Sequence, residues 1–293
     1  MKSSLTDKLA STLYTVSILL FSPLTHSEEA PKGSAIDARL EQEWQVRDNR
    51  FAIIPHRPSY ILPATHNNRV NSQPYLNSGK DLVPSQNEIK FQFSFKVPLI
   101  RDLPADGMLS FAYTQQSYWQ AYNRDDSSPF RETNHEPELL LSFPVAYHLL
   151  GMQGRLITLS LNHQSNGRSE PLSRGWDRLM VEFIMERDDW YLSLKPWWRL
   201  PAIEPDDNPD ISDYMGHFEL RLLRQFDDHS TGLLWRNNLQ RENRGALQLD
   251  YTFPLTKRLR GYAQIFTGYG ESLIDYDHYN NRIGIGVMLT DWL

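Results

Sequence analysis

The sequence predicts an all-β protein, specifically a twelve-stranded antiparallel transmembrane β-barrel of the bacterial outer membrane. The first observation is alternation: Ile89, Phe91, Phe93 and Phe95 are separated by polar residues, which is the period of a β-strand. The second is that links between predicted strands are alternately long and polar, or short. An even strand number with long loops at one end and short turns at the other is typical of outer-membrane barrels.

The alternation predicts twelve strands, most of them ten or more residues long, which suits a tilted crossing of a bilayer. They are predicted at 51–64, 88–100, 107–121, 136–147, 155–165, 176–186, 189–199, 216–226, 230–238, 244–254, 258–269 and 281–293.

A soluble β-sandwich also has short alternating strands and is the alternative to the barrel. Aromatic residues near strand ends favour the barrel, because girdles of Tyr and Trp mark its two membrane interfaces. The final predicted strand, which runs to Leu293, agrees with the same architecture. The girdle residues expected from their positions are Tyr118, Trp119, Trp190, Trp197, Trp198, Tyr262 and Tyr269.

The amino-terminal residues predict export. Lys2 and Lys8 precede an apolar run from Leu9 to Leu24, and small residues follow at cleavage-like spacing, which is typical of a secretory signal peptide. We therefore expect residues 1–27 to be removed and residues 28–50 to form a periplasmic segment, either a tail or a short amphipathic piece. Residues 51–293 are then the barrel.

Composition excludes several other classes of protein. The chain has 293 residues, a formal net charge of -6 and no basic stripe, which argues against nucleic acid as a partner. It has no cysteine, so disulfides and thiolate chemistry are excluded. No internal segment approaches the run of about 20 apolar residues that a membrane-spanning helix needs.

The hairpin from Leu156 to Met185 carries the candidate catalytic residues. His163 and Ser165 are in phase with apolar Leu159 and Leu161, and Asp177 is in phase with the apolar residues that end at Met185. A serine needs a base to take its proton, and the base needs a partner that orients it. In a barrel the apolar face contacts lipid, where polar groups are costly and usually functional.

Two long loops carry oxygen ligands of the kind that calcium prefers. Ser127 and Ser128 lie on the loop before the fourth strand, and Arg168, Glu170 and Ser173 follow Ser165. These residues alone leave two interpretations open, a cation site or an ordinary polar loop.

Six segments resemble the outer membrane phospholipase A family, and the resemblance runs colinearly from about residue 107 to the end of the chain. The matching segments are NHQSNGRSEPLSRGWDRL at 162–179, YTQQSYWQ at 113–120, SSPFRETNHEPEL at 127–139, KPWW at 195–198, DDNPDISDYMG at 206–216 and GYGESLIDY at 268–276.

The resemblance implies a twelve-stranded outer-membrane barrel that hydrolyses acyl esters of membrane phospholipids as a phospholipase A1 and A2 and a lysophospholipase. It implies that Ser165 is the nucleophile, that His163 is the proton acceptor, and that Asp177 stands where the family usually has Asn and orients His163. The enzyme is then a calcium-dependent serine ester hydrolase.

The resemblance further implies Ca²⁺ ligands at Ser127, the Arg168 backbone carbonyl, Glu170 and Ser173. Glu170 stands where the family has Asp, which preserves the charge on a longer side chain. Gln115 matches a polar residue at the family's dimer interface, so the active form is expected to be a homodimer. The alternative functions are a non-enzymatic outer-membrane porin, or a structural barrel whose loops bind a partner.

Overall fold

The computed structural model describes residues 34–46, 49, 52–77, 83–202, 206–256 and 259–291. The predicted signal peptide, residues 1–27, lies outside the described residues. Of the predicted periplasmic segment 28–50, the described part is a helix, α1 (Ala35–Gln45), which Ser34 caps through its hydroxyl and the Asp37 amide. No helix among the described residues is long and apolar enough to cross a membrane.

Within the described residues, thirteen strands, two short α-helices and one turn of 3₁₀ helix (Pro104–Asp106) follow α1. The strands and α-helices are β1 (Ile54–Pro55), β2 (Ser59–Asn67), α2 (Gln73–Asn77), β3 (Asn87–Leu103), β4 (Gly107–Trp119), β5 (Phe130–Leu149), β6 (Met152–Ser165), β7 (Gly175–Arg187), β8 (Trp190–Arg199), α3 (Ile211–Met215), β9 (Phe218–Phe226), β10 (His229–Asn237), β11 (Gly245–Pro254), β12 (Arg260–Gly268) and β13 (Asn280–Thr290).

Strands β2 to β13 form a closed antiparallel barrel of twelve strands, since each pairs with the next and β13 pairs back onto β2. All twelve predicted strands are confirmed, most of them to within a few residues. The first prediction, 51–64, covered β1 and part of β2 as one strand. The chain breaks between them at His56 to Pro58, and Arg57 there turns inward to bind Glu136 and Glu138.

Polarity is inverted relative to a soluble protein. On β6 the inward residues Thr158, Ser160 and Asn162 are buried, whereas Leu159 and Leu161 are 40% and 51% exposed. A polar interior and an apolar exterior are the pattern of a barrel that lies in lipid.

Ion pairs fill the lumen near the long loops. Arg131 bonds Glu88 at 3.0 Å and Asp275 at 2.9 Å, and Arg282 reaches both Glu88 and Glu271 at 2.7 Å. Each of these side chains is almost completely buried, so each charge depends on its partners. Since Glu271 and Asp275 belong to the loop between β12 and β13, the network fixes that loop over the barrel.

Both ends of the lumen are covered. At the short-turn end, Ile36 of α1 packs on Tyr191 and Leu223, and Glu43 bonds Lys96 at 2.7 Å. At the long-loop end an apolar cluster covers the inner side of β7 and β8. Its members are Trp176, Met180, Trp197, Ile211, Met215, Leu273 and Tyr276.

The girdle prediction was wrong for three of its aromatic residues. Tyr118, Trp197 and Tyr262 are buried on the inner side of the wall, where Tyr118 donates to the Glu271 carbonyl and Tyr262 to Asp250. Proximity to a strand end does not determine the face, which depends on the phase of the strand. Trp198, one residue from Trp197, does face outward and is 56% exposed.

Candidate active site on the outer wall

His163 and Asp177 form the centre of the candidate site. They are directly paired in the register of β6 and β7, and His163 Nδ1 lies 2.8 Å from Asp177 Oδ1. Both side chains are close to half exposed on the outer wall. The bond occupies Nδ1, so Nε2 is the ring nitrogen available to accept a proton from a nucleophile.

Ser165 lies on the same strand and the same face as His163, two register pairs closer to the long loops, opposite Gly175. No hydrogen bond joins the Ser165 hydroxyl to His163 among the described residues, and catalytic bonds are often looser before substrate binds. His163, Ser165 and Asp177 line one open groove of about 310 Å³ together with Arg168 and Ser173. The phase inferred from the sequence therefore places the three residues as expected.

An apolar row lies on the outer wall beside the site, on the side of the short turns. Register pairs connect Phe111, Leu139, Leu161, Leu179 and Trp198 across five strands, β4 to β8. This row adjoins His163 and Asp177. It runs around the barrel wall, and its side chains face the lipid. Met185, which the alternation along β7 places on the same face as Asp177, is instead buried. It is paired with Gly154, and the ring of Tyr147 packs against that glycine.

The inner side of the same strands anchors the site. Arg178 donates to Asn162 at 2.7 Å and to Glu136 at 3.0 Å, and its guanidinium stacks 4.1 Å from the Trp176 ring. Trp176 in turn donates to Gln164 at 2.8 Å. Because inward residues alternate with His163, Ser165 and Asp177, this packing restricts the backbone from which the site projects.

Asn166 organises the loop that follows Ser165. Its side-chain oxygen accepts from the amides of Arg168 and Arg174 at 3.3 and 3.0 Å, and its side-chain nitrogen donates to the Leu172 carbonyl at 2.8 Å. From sequence alone, Asn166 is only an Asn in a polar turn, where such side chains commonly bond nearby backbone.

The Arg168 side chain is directed away from the groove by its own contacts. It donates to the Arg131 carbonyl at 2.5 Å and pairs with Glu132 at 3.3 Å. Its guanidinium is therefore bound to β5, which keeps this positive charge from competing with a cation for the oxygens of the loop.

Ser173 and Glu170 both contact Asp207, a residue of the loop between β8 and β9. The Ser173 hydroxyl donates to the Asp207 carboxylate. A hydrogen bond with Asp207, and then its negative charge, raise the pKa of Glu170. Two adjacent carboxylates and a hydroxyl form a donor set that fits a hard divalent cation. No group of three or more His, Cys, Asp or Glu that could hold a metal occurs within the described ranges.

Ser127 is not brought into this groove. It lies in the loop between β4 and β5 with a left-handed backbone (φ 59°), its amide bonded to the Arg124 carbonyl. Glu170 does not line the groove either, although it reaches Asp207. Of the four residues predicted to bind calcium, Arg168 and Ser173 line the groove that contains Ser165.

Gln115 lies on the outer wall of β4, two strands from Ser165, and its register partner is His135 of β5. Its side-chain oxygen lies 3.3 Å from the Tyr113 hydroxyl, and its side-chain nitrogen donates to Ser117 at 3.1 Å. Gln115 does not line the lumen, because the inner face of β4 is formed by the alternate residues Thr114 and Gln116.

A closed barrel with an apolar exterior, a charged and filled interior and a polar cluster on its outer wall defines the class: an outer-membrane β-barrel. The family model for phospholipase A1 matches residues 36–289. The phospholipase A1 of Escherichia coli is 38% identical over 267 residues, covering 91% of this chain and 90% of that protein. The phospholipase A1 of Klebsiella pneumoniae is 39% identical, with 91% of each chain covered.

Solved structures agree with the family match. An active-site mutant of outer membrane phospholipase A from Escherichia coli superposes with a TM-score of 0.80 at 35% identity, covering 89% of this chain and 100% of that one. The calcium-bound dimer of the Salmonella typhi outer membrane phospholipase gives a TM-score of 0.76 at 35% identity, with 84% and 94% coverage. The chain belongs to the outer membrane phospholipase A1 family.

Proposed function

We propose that this chain hydrolyses acyl ester bonds of membrane phospholipids, at either glycerol position and in lysophospholipids, as a calcium-dependent serine hydrolase. The observation that carries the proposal is the His163–Asp177 hydrogen bond on the lipid-facing wall, with Ser165 on the same face. A cluster of His, Asp and Ser beside an exposed apolar row suits a substrate that lies in the membrane rather than one dissolved in water.

His163 Nε2 takes the proton of the Ser165 hydroxyl as the oxygen attacks the ester carbonyl, and Asp177 stabilises the imidazolium that forms. His163 then returns the proton to the leaving alcohol, and the acyl chain stays bound to Ser165 as an ester. Water, deprotonated by the same imidazole, releases the fatty acid and restores the serine. Asp177 serves in place of the family's Asn, because either side chain can accept from Nδ1–H.

Calcium is supported by the donor set beside Ser165. The residues that would hold it are Ser173, Glu170 and the Arg168 carbonyl. The family resemblance adds Ser127, which lies outside the groove in this chain. When bound, it supplies positive charge that stabilises the oxyanion of the ester. The position of Asp207 against Ser173 and Glu170 supports this choice, since it adds a carboxylate that a cation would neutralise.

The active form is proposed to be a homodimer in which Gln115 lies at the interface. The Salmonella typhi relative was solved as a dimer. Gln115 is polar on a lipid-facing wall and has exposed Phe93 as its register partner on β3. Polar groups exposed to lipid are costly, and two amides can bond each other across an interface. Residues 1–27 are proposed to direct export, residues 28–50 to be periplasmic, and the active site to lie near the outer leaflet.

Purified Ser165→Ala tests the proposal, with hydrolysis of phosphatidylcholine in mixed micelles measured against calcium concentration. Ser160→Ala is the matched control, because Ser160 is on the same strand but faces the lumen. We expect activity to disappear in the first variant and to persist in the second. Calcium-stimulated hydrolysis by Ser165→Ala equal to that of the unmodified protein would refute it.

A further inference from the structure

A second histidine, His135, adjoins Ser165 from the side opposite to Asp177. Register pairs place Ser165 between His135 of β5 and Gly175 of β7. Directly paired side chains on adjacent strands have Cβ atoms about 5 Å apart, whereas residues two apart on one strand are about 7 Å apart. His135 is therefore an immediate neighbour of Ser165, and the proposed mechanism does not use it.

Tyr113 holds the His135 ring in place. The Tyr113 hydroxyl lies 2.7 Å from His135 Nδ1, and the two rings stack with centroids 6.2 Å apart. The far edge of the ring faces the turn after the nucleophile, since a Cβ placed on Gly167 would lie 4.0 Å from His135 Nε2. Nε2 therefore lies beside the turn that follows Ser165. Among the described residues no hydrogen bond occupies it, so it can still bond a ligand.

The two histidines differ in their partners, and this difference separates their roles. His163 is paired with a carboxylate, which stabilises an imidazolium and suits a base. His135 is paired with a neutral phenol, which does not. The Tyr113 hydroxyl has one proton, and its 2.7 Å contact with His135 Nδ1 is much shorter than its 3.3 Å contact with Gln115. With that proton donated to Nδ1, the neutral His135 ring carries its own proton on Nε2 and presents a hydrogen-bond donor to the group that lies beside Ser165.

The height of His135 along the barrel wall indicates which part of a lipid its Nε2 would bond. Apolar Phe111, Leu139 and Leu161 lie four residues further along their strands, about 13 Å toward the short turns. Acyl chains fit against that row, so the polar part of a lipid whose ester reaches Ser165 must lie level with Ser165 or nearer the long loops. The phosphodiester of a glycerophospholipid, a few bonds from the ester, carries a lasting negative charge and accepts hydrogen bonds.

We propose that His135 is a further substrate-binding residue, whose Nε2–H donates to the phosphodiester of the lipid that Ser165 attacks. The proposal rests on the proposed function and adds a specificity determinant to it. Phospholipids are then distinguished from uncharged esters by one hydrogen bond made outside the Ser165, His163 and Asp177 group.

The test compares a phospholipid with an uncharged lipid in the same assay. KM is measured for phosphatidylcholine in mixed micelles at saturating calcium, and the inhibition constant is measured for a dialkylglycerol ether, which lacks both ester and phosphate. His135→Leu should raise KM about tenfold, as expected for one lost hydrogen bond to a charged group, without changing the inhibition constant. His135→Gln, whose amide donates from a similar position, should restore much of the difference.

His229→Leu is the matched control, because His229 makes the same contact with a tyrosine hydroxyl, 2.8 Å from Tyr251, on the far side of the barrel. It should leave both constants unchanged. Equal changes in KM and in the inhibition constant, or no change in either, would overturn the role of His135. The proposed function is tested separately: it would be refuted by a Ser165→Ala variant that keeps its activity, whatever the result for His135.

Discussion

His163 and Asp177 are joined twice, by direct register pairing of β6 with β7 and by a 2.8 Å bond between Nδ1 and Oδ1. The bond crosses between neighbouring strands in the middle of a regular ladder, so the barrel itself sets the geometry of the pair. A loop is not needed to orient the imidazole.

Asp177→Asn should keep most of the activity, within about tenfold, because an amide oxygen in place of Oδ1 still accepts from Nδ1–H and holds the imidazole while the charge is lost. Asp177→Ala should reduce kcat by at least about a hundredfold, because the imidazole loses both its orientation and its stabilising partner. The measurement is kcat on phosphatidylcholine across a calcium titration. Similar rates for the Asn and Ala variants would show that Asp177 does not orient His163.

Asn166→Ala should raise the calcium concentration required for half-maximal activity, while kcat at saturating calcium changes much less. The substitution removes three side-chain bonds that hold the loop carrying Arg168 and Ser173. Each is worth about 0.5–1.5 kcal/mol, so ordering the loop around a cation becomes more costly.

Asn238→Ala is a close control for Asn166→Ala. Asn238 accepts from the amides of Gln240 and Arg244 at 3.1 Å and donates to the Glu242 carbonyl at 2.9 Å, but it organises the loop between β10 and β11. Its removal should leave the calcium dependence unchanged. A shift of the same size in both variants would assign the effect to general loop stability.

Gln115→Ala should raise the protein density in the membrane that is needed for half-maximal activity, because the proposed dimer loses a polar contact in lipid. Hydrolysis is measured in vesicles at increasing protein-to-lipid ratio, with association followed by crosslinking. Thr231→Ala provides the comparison, since Thr231 lies on β10, six strands around the barrel from β4. Unchanged association in Gln115→Ala would place the interface elsewhere.

Arg131→Met should lower the free energy of unfolding by roughly 3–5 kcal/mol, because Glu88 and Asp275 lose a buried partner. Arg187→Met should change it by less than about 1 kcal/mol, since the Arg187–Asp188 pair is largely exposed. Urea unfolding in detergent micelles measures both. A small effect in Arg131→Met would mean that Arg282 alone compensates Glu88.

The exterior of the barrel could be predicted because a strand has a strict period of two. Leu159, Leu161, His163 and Ser165 follow that period without interruption, so their common outward face was determined once a strand was assigned. The polar residues between them, such as Ser160 and Asn162, then had to face the lumen. The same reasoning failed for Tyr118 and Trp197, where only position near a strand end was used.

The sequence by itself determined that Ser165, His163 and Asp177 share the outer face, because that follows from local period and one hairpin. It could not determine that His135 adjoins Ser165, that Asp207 meets Ser173, or that Asn208 accepts from the Gly175 amide at 2.8 Å. Those contacts join separate strands and loops. They depend on inter-strand register and on bulges such as those in the β5–β6 pairing, which only the closed barrel fixes.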